Sequence, residues 1–305
     1  MGEFDLIDRC FAGRGGQPRT FTRLGIGDDA SIHQPAAGME LVVSTDTSLA
    51  GVHWPTDLSL AVAADRAVCA ALSDLAAMGA EALCCWLNVM AEDAGAVAQM
   101  GDGATAALAR FDVELVGGDT TRSSCNALAV TVAGQLPAGS AMRRSGAQAG
   151  DNIWLCGCVG FHASGLKQWI NDCKDGSFVE YFTGVVPMLK QGVHLREQGV
   201  QCCMDISDGL LQDATHLACA SGVGMEIELS LLPDWSQLVD EIGEAQALQN
   251  AAHGGEDYAL LFTAPASMRF TDACMIGRCR ELPGVSLTLG GQPVSVEKGG
   301  YDHFQ

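Results

Sequence analysis

Strands and helices alternate along both halves of this sequence, which predicts an α/β (α+β) protein of two domains. Two further observations support that class. The chain has 305 residues, of which 48% are hydrophobic, enough for two cores of ordinary size. Around 137–151 (PAGSAMRRSGAQAGD) Pro, Gly and Ser cluster and the hydrophobic periodicity lapses. The boundary is set there, giving an N-terminal domain of 1–138 and a C-terminal domain of 139–305.

The elements follow in order. Residues 1–12 form a short amphipathic helix and 13–20 (GRGGQPRT) a loop. LGIGDDASI (24–32) is a glycine turn running into a strand. LVVSTDT (41–47) is a strand ending in Ser44-Thr45-Asp46-Thr47. Residues 58–79, rich in Ala and Leu and closed by Gly79, form a long helix. ALCCWLNVMA (82–91) is β-rich, 93–110 is a second Ala-rich helix, and ELVGGDTTRS (114–123) is a strand entering a glycine turn. NALAVTVAGQL (126–136) is a strand. In the second half NIWLCGCVG opens as a strand and 160–199 is mostly helical. CCMDIS (202–207) is a strand, and 208–222 a helix that starts at Asp208. GMEIELSLLP (224–233) is a strand, 236–252 mostly helix, and GGEDYALLF (254–262) a turn followed by a buried strand from Tyr258. The last 25 residues are strand-rich. STDT and GGDTT are similar local signals, a hint of duplicated units, and no solenoid period is present.

Acidic residues outnumber Lys and Arg 37 to 17, a formal net charge of -20. That balance argues against a nucleic-acid surface, which needs a basic face, and weakens an anionic-membrane reading. The 13 cysteines form no regular framework; they read as small apolar residues in a reducing compartment. The pair Cys156 and Cys158 lacks zinc spacing. The first ten residues carry Glu3, Asp5 and Asp8 and no basic leader, and Asp65, Arg66, Asp74 and Glu81 interrupt the apolar segment 58–91. A cytoplasmic location is expected.

Asp28, Asp29, Asp46, Asp119, Asp205, Asp208, Glu256 and Asp257 each follow an apolar strand or sit beside glycine, and Asp74 lies in the helical LSDLAAMG. Ligands bind at strand ends in α/β folds. Converging carboxylates repel each other unless cations hold them. Mg²⁺ takes one or two carboxylates with waters and phosphate oxygens, so the pattern points to several Mg²⁺ ions shared with a polyphosphate. Each motif alone also fits a blander role: Asp208-Gly209 an N-cap and turn, Asp28-Asp29 a solvated turn, STDT a capping sequence, Asp74 a surface acid. No Walker A, HRD, DFG or HExxH motif exists. Phosphate handling therefore rests on metal-bound carboxylates, turn amides and Arg122, Arg143 or Arg144.

GIGDDA (25–30), STDT with GVHWP (44–47, 51–55), LSDLAAMGA (72–80), GGDTTRS (117–123), RSGAQAGD (144–151), DISDGL (205–210) and GGEDYALLFT (254–263) together resemble the thiamine-monophosphate kinase family. That family belongs to the superfamily of aminoimidazole ribonucleotide synthetase and selenophosphate synthetase. The likeness runs in order through nearly the whole chain, to GYDHF (300–304). It implies a two-domain aminoimidazole ribonucleotide synthetase-like fold. The N-terminal sheet would help form a homodimer, and ATP would lie between the domains. The implied reaction is direct in-line transfer from ATP to thiamine monophosphate with Mg²⁺, with no phosphoenzyme. By motif match the Mg²⁺ ligands would be Asp29, Ser44, Thr45 (through its carbonyl rather than its hydroxyl), Asp46, Asp74, Asp119, Asp205 and Asp208. Of these, Asp46, Asp119 and Asp208 are the expected catalytic set. Gly118, Asp119, Arg144 and Ser207 would hold ATP; His53, Glu256 and Tyr301 would hold the thiamine part. Glu256 would meet a cationic thiazolium or an aminopyrimidine, while Asp257 orders the turn.

The sequence departs from the family at two places. Trp54 follows His53 where Phe is common, and 184–200 lacks the usual Pro-Arg pattern. Two alternatives are another ATP-dependent enzyme of the superfamily and a non-catalytic nucleotide and metal sensor. ADP release with thiamine monophosphate against thiamine, with and without Mg²⁺, separates them.

Overall fold

The computed structural model describes residues 3–296. Two compact units emerge. The first comprises the chain up to Leu75, Ala80–Gly139 and Thr183–Val185; the second comprises Ala76–Gly79, Ser140–Phe182 and the chain from Val186.

In the first unit α1 (Glu3–Cys10) precedes a small antiparallel pair, β1 (Thr22–Leu24) and β2 (Ile32–His33). β3 (Met39–Leu49) leads to α2 (Leu60–Met78), then β4 (Glu81–Ala91), α3 (Ala94–Arg110), β5 (Glu114–Arg122) and β6 (Ala127–Pro137). Four strands form a sheet in the order β3-β6-β4-β5, antiparallel except for the parallel pair β4–β5. α3 starts where the Asp93 carboxylate accepts the Ala96 N–H at 2.9 Å, an N-cap. α3 lies against β4 and β5. α2 is almost wholly buried, with Val68, Leu72 and Leu75 at the centre. The uncovered face of the sheet carries Leu41 and Val43 of β3, 48% and 55% exposed.

Two expectations change here. The STDT segment lies inside β3, which runs on to Leu49. The glycines of GGDTT form no turn: β5 continues through them to Arg122. Gly118 has φ +143°, and a Cβ there would stand 1.9 Å from the Leu87 carbonyl oxygen. The glycine therefore permits close strand approach rather than chain reversal.

The second unit holds β7 (Asn152–Cys156), α4 (Phe161–Ile170), α5 (Val179–Thr183), α6 (Leu189–Glu197), β8 (Cys202–Asp205), α7 (Leu210–Ser221) and β9 (Gly224–Glu228). α8 (Trp235–Ile242), α9 (Glu244–His253), β10 (Leu260–Ala264), β11 (Cys274–Arg280), β12 (Gly284–Leu289) and β13 (Gln292–Val294) follow. Seven strands form one sheet in the order β13-β12-β9-β11-β7-β10-β8, antiparallel except for β9–β12. Its centre is buried on both faces. Ile153, Leu155, Met204 and Leu261 join one cluster, while Trp154, Cys156, Cys203 and Phe262 join another. This two-sided burial explains the near-continuous apolar runs of β7 and β10. All 13 cysteines are free, and burial pushes thiols such as Cys84 up to about 12, which keeps them inert.

The edge of this sheet is tied by one carboxylate. Glu228 accepts from the Ser230 N–H and hydroxyl, the Thr288 hydroxyl and the N–H groups of Gly290 and Gly291, at 2.5–3.1 Å. Burial opposes its ionisation, but these hydrogen bonds outweigh burial and hold its pKa down at about 2, against an ordinary 4.5. A depressed acid stabilises the fold above its unfolded pKa and loses that contribution as pH falls through the folded value. The difference in melting temperature between wild type and Glu228→Gln should therefore be full above pH about 5 and shrink toward pH about 2. Thermal melts across that window check it; a constant difference would contradict the assignment.

Candidate active site

The first unit brings three of the sequence candidates together. Ser44 and Asp46 alternate on β3 and point toward the helices, and the Ser44 hydroxyl donates to Asp74 of α2. Burial, and secondarily the charge of Asp74, raises the Asp46 carboxyl to about 6 from an ordinary 3.8. Two carboxylates that penalise each other's charge form a site that a cation relieves. The donors are hard oxygens of the kind Mg²⁺ takes. Among the described residues no group of three or more His, Cys, Asp or Glu is arranged to hold a metal alone. A pair matches Mg²⁺, which completes its shell with water and phosphate oxygens.

Other candidates lie apart from that pair. Thr45 points to the opposite face, its hydroxyl 3.0 Å from that of Thr131, so its side chain does not join Ser44 and Asp46. Asp46, Val130, Leu87 and Gly118 share one row across the sheet. Asp119 follows Gly118, so three strand spacings, about 14 Å, separate it from Asp46. Asp46 pairs beside buried Val130, whereas Asp119 pairs with exposed Asn88, on the other face. Asp119 accepts the Thr121 hydroxyl at 3.2 Å. Asp29 is exposed in the turn, its N–H donating to Asp28 at 2.8 Å. His53 Nδ1 accepts the Leu49 N–H at 3.1 Å, which leaves the neutral ring its proton on Nε2. Trp54 is core, 3% exposed.

In the second unit strand register does the gathering. Leu260 pairs with Cys156 on one side and Asp205 on the other. The ends of β7 and β8 and the start of β10 therefore lie at one end of the sheet. The segments 157–162, 206–209 and 254–259 meet there. The Ile206 N–H donates to Ala259, Tyr258 N–H to Ile206, and Glu256 N–H to Ser207, at 2.8–2.9 Å. These bonds hold Glu256 and Tyr258 at φ +65° and +51°, a left-handed conformation costly for both. β10 consequently begins at Leu260, two residues after the expected Tyr258. A Cβ on Gly255 would meet the Ser207 carbonyl oxygen at 2.4 Å, so glycine is required beside Glu256.

Two acids organise these turns. Asp213 Oδ2 accepts the N–H groups of Ser207, Asp208 and Gly209 at 3.0, 3.0 and 3.2 Å. Burial pushes its carboxyl up to about 7 against those bonds. The expected helix start at Asp208 is thus corrected: α7 begins at Leu210, and Asp208 instead accepts from Gln212 at 3.1 Å. Asp257 accepts the N–H groups of Gly160 (2.7 Å) and His162 (3.1 Å) at the start of α4, with burial raising it to about 8. Sequence reasoning missed Asp213, although an acid in the first turn of a helix is a recognisable signal. Asp205 is buried at the end of β8, and Ser207 and Asp208 are half-buried. Arg144 is exposed, its carbonyl accepting the Ser221 hydroxyl at 3.3 Å. The unusual 184–200 segment forms α6, where Arg196 Nε donates to the Gly79 carbonyl at 2.8 Å. Tyr301 lies outside the described residues.

Asp213→Ala removes the acceptor for three amides. Leaving buried donors unsatisfied costs about 1–3 kcal/mol each, and partial rehydration should hold the loss to about 2–4 kcal/mol. Urea unfolding checks this, and Asp213→Asn, which keeps a carbonyl oxygen, should lose less. Equal stability of wild type and Asp213→Ala would contradict the amide-gathering role.

Comparison with known proteins agrees with this architecture. The AIR synthase related protein N-terminal domain matches residues 27–136, and the corresponding C-terminal domain matches 148–274. Thiamine-monophosphate kinase of Escherichia coli (strain K12) is 35% identical over 326 residues, covering 99% of this chain and 98% of that protein. The crystal structure of thiamine-monophosphate kinase from Stenotrophomonas maltophilia K279a superposes with a TM-score of 0.84 at 34% identity, over 96% of this chain and 98% of that one. AaThiL, solved in complex with AMPPCP and TMP, has a TM-score of 0.79 at 27% identity, over 99% and 97%. With a likeness that spans both units and the full length of its relatives, the chain belongs to the thiamine-monophosphate kinase family of AIR synthase related proteins.

Proposed function

We propose that this chain transfers the γ-phosphoryl group of ATP in line to the phosphate of thiamine monophosphate, giving ADP and thiamine diphosphate. The observation that carries this reading is full-length similarity to thiamine-monophosphate kinases, reinforced by a relative crystallised with AMPPCP and TMP. The acceptor phosphate is already ionised near neutral pH, so no general base is needed. The obstacle is repulsion between two anionic groups, and positioning with charge neutralisation lowers it. Mg²⁺, when bound, supplies that neutralisation. Asp46 and Asp74, with Ser44, are the residues whose geometry best fits a Mg²⁺ ion. Asp29, Asp119, Asp205 and Asp208 are the further proposed ligands, and Thr45 is assigned through its carbonyl because its hydroxyl faces Thr131. Gly118, Asp119, Arg144 and Ser207 are assigned to the nucleotide. His53, Glu256 and Tyr301 are assigned to the thiamine part, where the Glu256 carboxylate suits a cationic ring.

Association as a homodimer is part of the same reading. The uncovered sheet face, with Leu41 and Val43, supports it. Among the described residues no helix is long and apolar enough to cross a membrane.

The direct test is ADP release. It should require both thiamine monophosphate and Mg²⁺, and thiamine should not substitute; ADP formed at the same rate without thiamine monophosphate would contradict the reading. Asp46→Asn should lower kcat by about 10²-fold or more at saturating Mg²⁺, the scale for losing a group that neutralises transition-state charge. Asp74→Asn should leave the metal-free protein at least as stable, since it removes a charge that opposes ionisation of Asp46. It should also shrink the thermal shift given by Mg²⁺ and ATP, about 2.7 kcal/mol at a hundred times Kd in wild type. Melting curves with and without Mg²⁺-ATP read both effects; an unchanged ligand shift would remove Asp74 from the site.

A further inference from the structure

His162 is the second residue of α4 and lies against the turn that carries Glu256. Its side chain is 4% exposed, that of Glu256 28%, and its Nε2 stands 3.6 Å from Glu256 Oε2. That is longer than a hydrogen bond but within ion-pair range. The main chain makes this contact one half of a reciprocal clamp. Asp257 accepts the His162 N–H at 3.1 Å, while the His162 ring returns to the neighbouring Glu256. Phe182 meets the imidazole edge-on at 5.5 Å and 74°. Behind the clamp, Asn250 of α9 donates to Ser164 of α4 at 2.7 Å and accepts from Lys167 at 2.7 Å, fixing the two helices that flank the turn.

We propose that His162 is a positioning residue for the substrate-binding carboxylate: held by Phe182 and the Asp257 clamp, it keeps Glu256 aimed at the cationic ring of thiamine monophosphate. A Glu side chain carries considerable rotamer freedom, and a fixed partner removes part of that cost before substrate arrives. An N–H on Nε2, present in the imidazolium and in one neutral tautomer, favours the ionised carboxylate. His162 acts through Glu256, so the inference rests on Glu256 being the substrate's partner.

Steady-state kinetics of wild type, H162M, H162Q, E256Q and the H162M/E256Q double variant test it, with melting temperatures recorded for each. H162M should raise KM for thiamine monophosphate about threefold, the scale of a single weak ion-pair contact, with kcat and the KM for ATP unchanged. H162Q, which restores an N–H donor, should recover most of the loss, a rescue that a merely space-filling role does not explain. In the E256Q background H162M should have no further effect. If E256Q leaves the KM for thiamine monophosphate unchanged, the reading of Glu256 fails. If E256Q raises that KM while H162M leaves it unchanged or lowers it, the positioning role alone is overturned. Should H162M not fold, F182L, which keeps the imidazole but removes its brace, must raise the same KM; no change there overturns the proposal.

Discussion

Buried carboxylates met by main-chain amides hold the second unit in shape where three of its strands end. Removing an ionised carboxylate from water is expensive, and amide hydrogen bonds recover part of that cost. Asp213 gathers three amides of one turn and Asp257 two amides of another. Burial still wins in part, since the two carboxyls lie at about 7 and about 8. An acid-rich chain thus spends some of its acids on architecture. Glu228 does the same at the sheet edge, half-buried, with its pKa near 2 because more donors reach it.

The site geometry follows from these anchors and from strand register. The antiparallel neighbours of β10 bring the ends of β7 and β8 to the GGED turn. Backbone bonds from Glu256 and Tyr258 to the 206–207 segment hold two left-handed residues that would otherwise relax. A long carboxylate side chain is then presented from a main chain with little freedom. In the first unit a different device operates. Ser44 links Asp74 of the helix to the strand that carries Asp46, and burial, with the Asp74 charge adding to it, raises Asp46 to about 6. Amides neutralise the first kind of acid; a cation is the natural complement of the second.

Much of this was legible in the residues. Alternating elements gave the fold class, and most strand and helix segments were found to within a few residues, since their periodicity is strong; the strand expected over 224–233 stops at Glu228, where a 3₁₀ turn over Leu229–Leu231 takes over. Asp46 and Asp74 both stood among the expected Mg²⁺ ligands, but that Ser44 would link the strand of one to the helix of the other was not readable from either motif. What failed was what depends on strand order and local backbone. Gly117-Gly118 read as a turn because nothing in a single strand shows that β4 presses against it. The distance between Asp46 and Asp119 was likewise hidden, because the order β3-β6-β4-β5, which puts them on opposite edges and faces, is invisible in their motifs. Asp213 and His162 escaped notice because their roles depend on amides and a carboxylate brought close only by tertiary folding.

The acids divide their labour between architecture and metal, and the position of bound metal distinguishes the two roles. Crystals soaked with Mn²⁺ in place of Mg²⁺, together with a non-hydrolysable ATP analogue, locate the metal by anomalous difference density. A peak is expected within coordination distance of the Asp46 or Asp74 carboxylate, and none on the amide-held Asp213 or Asp257. Metal density on Asp213 or Asp257, or none at the Asp46–Asp74 pair with nucleotide bound, would contradict it.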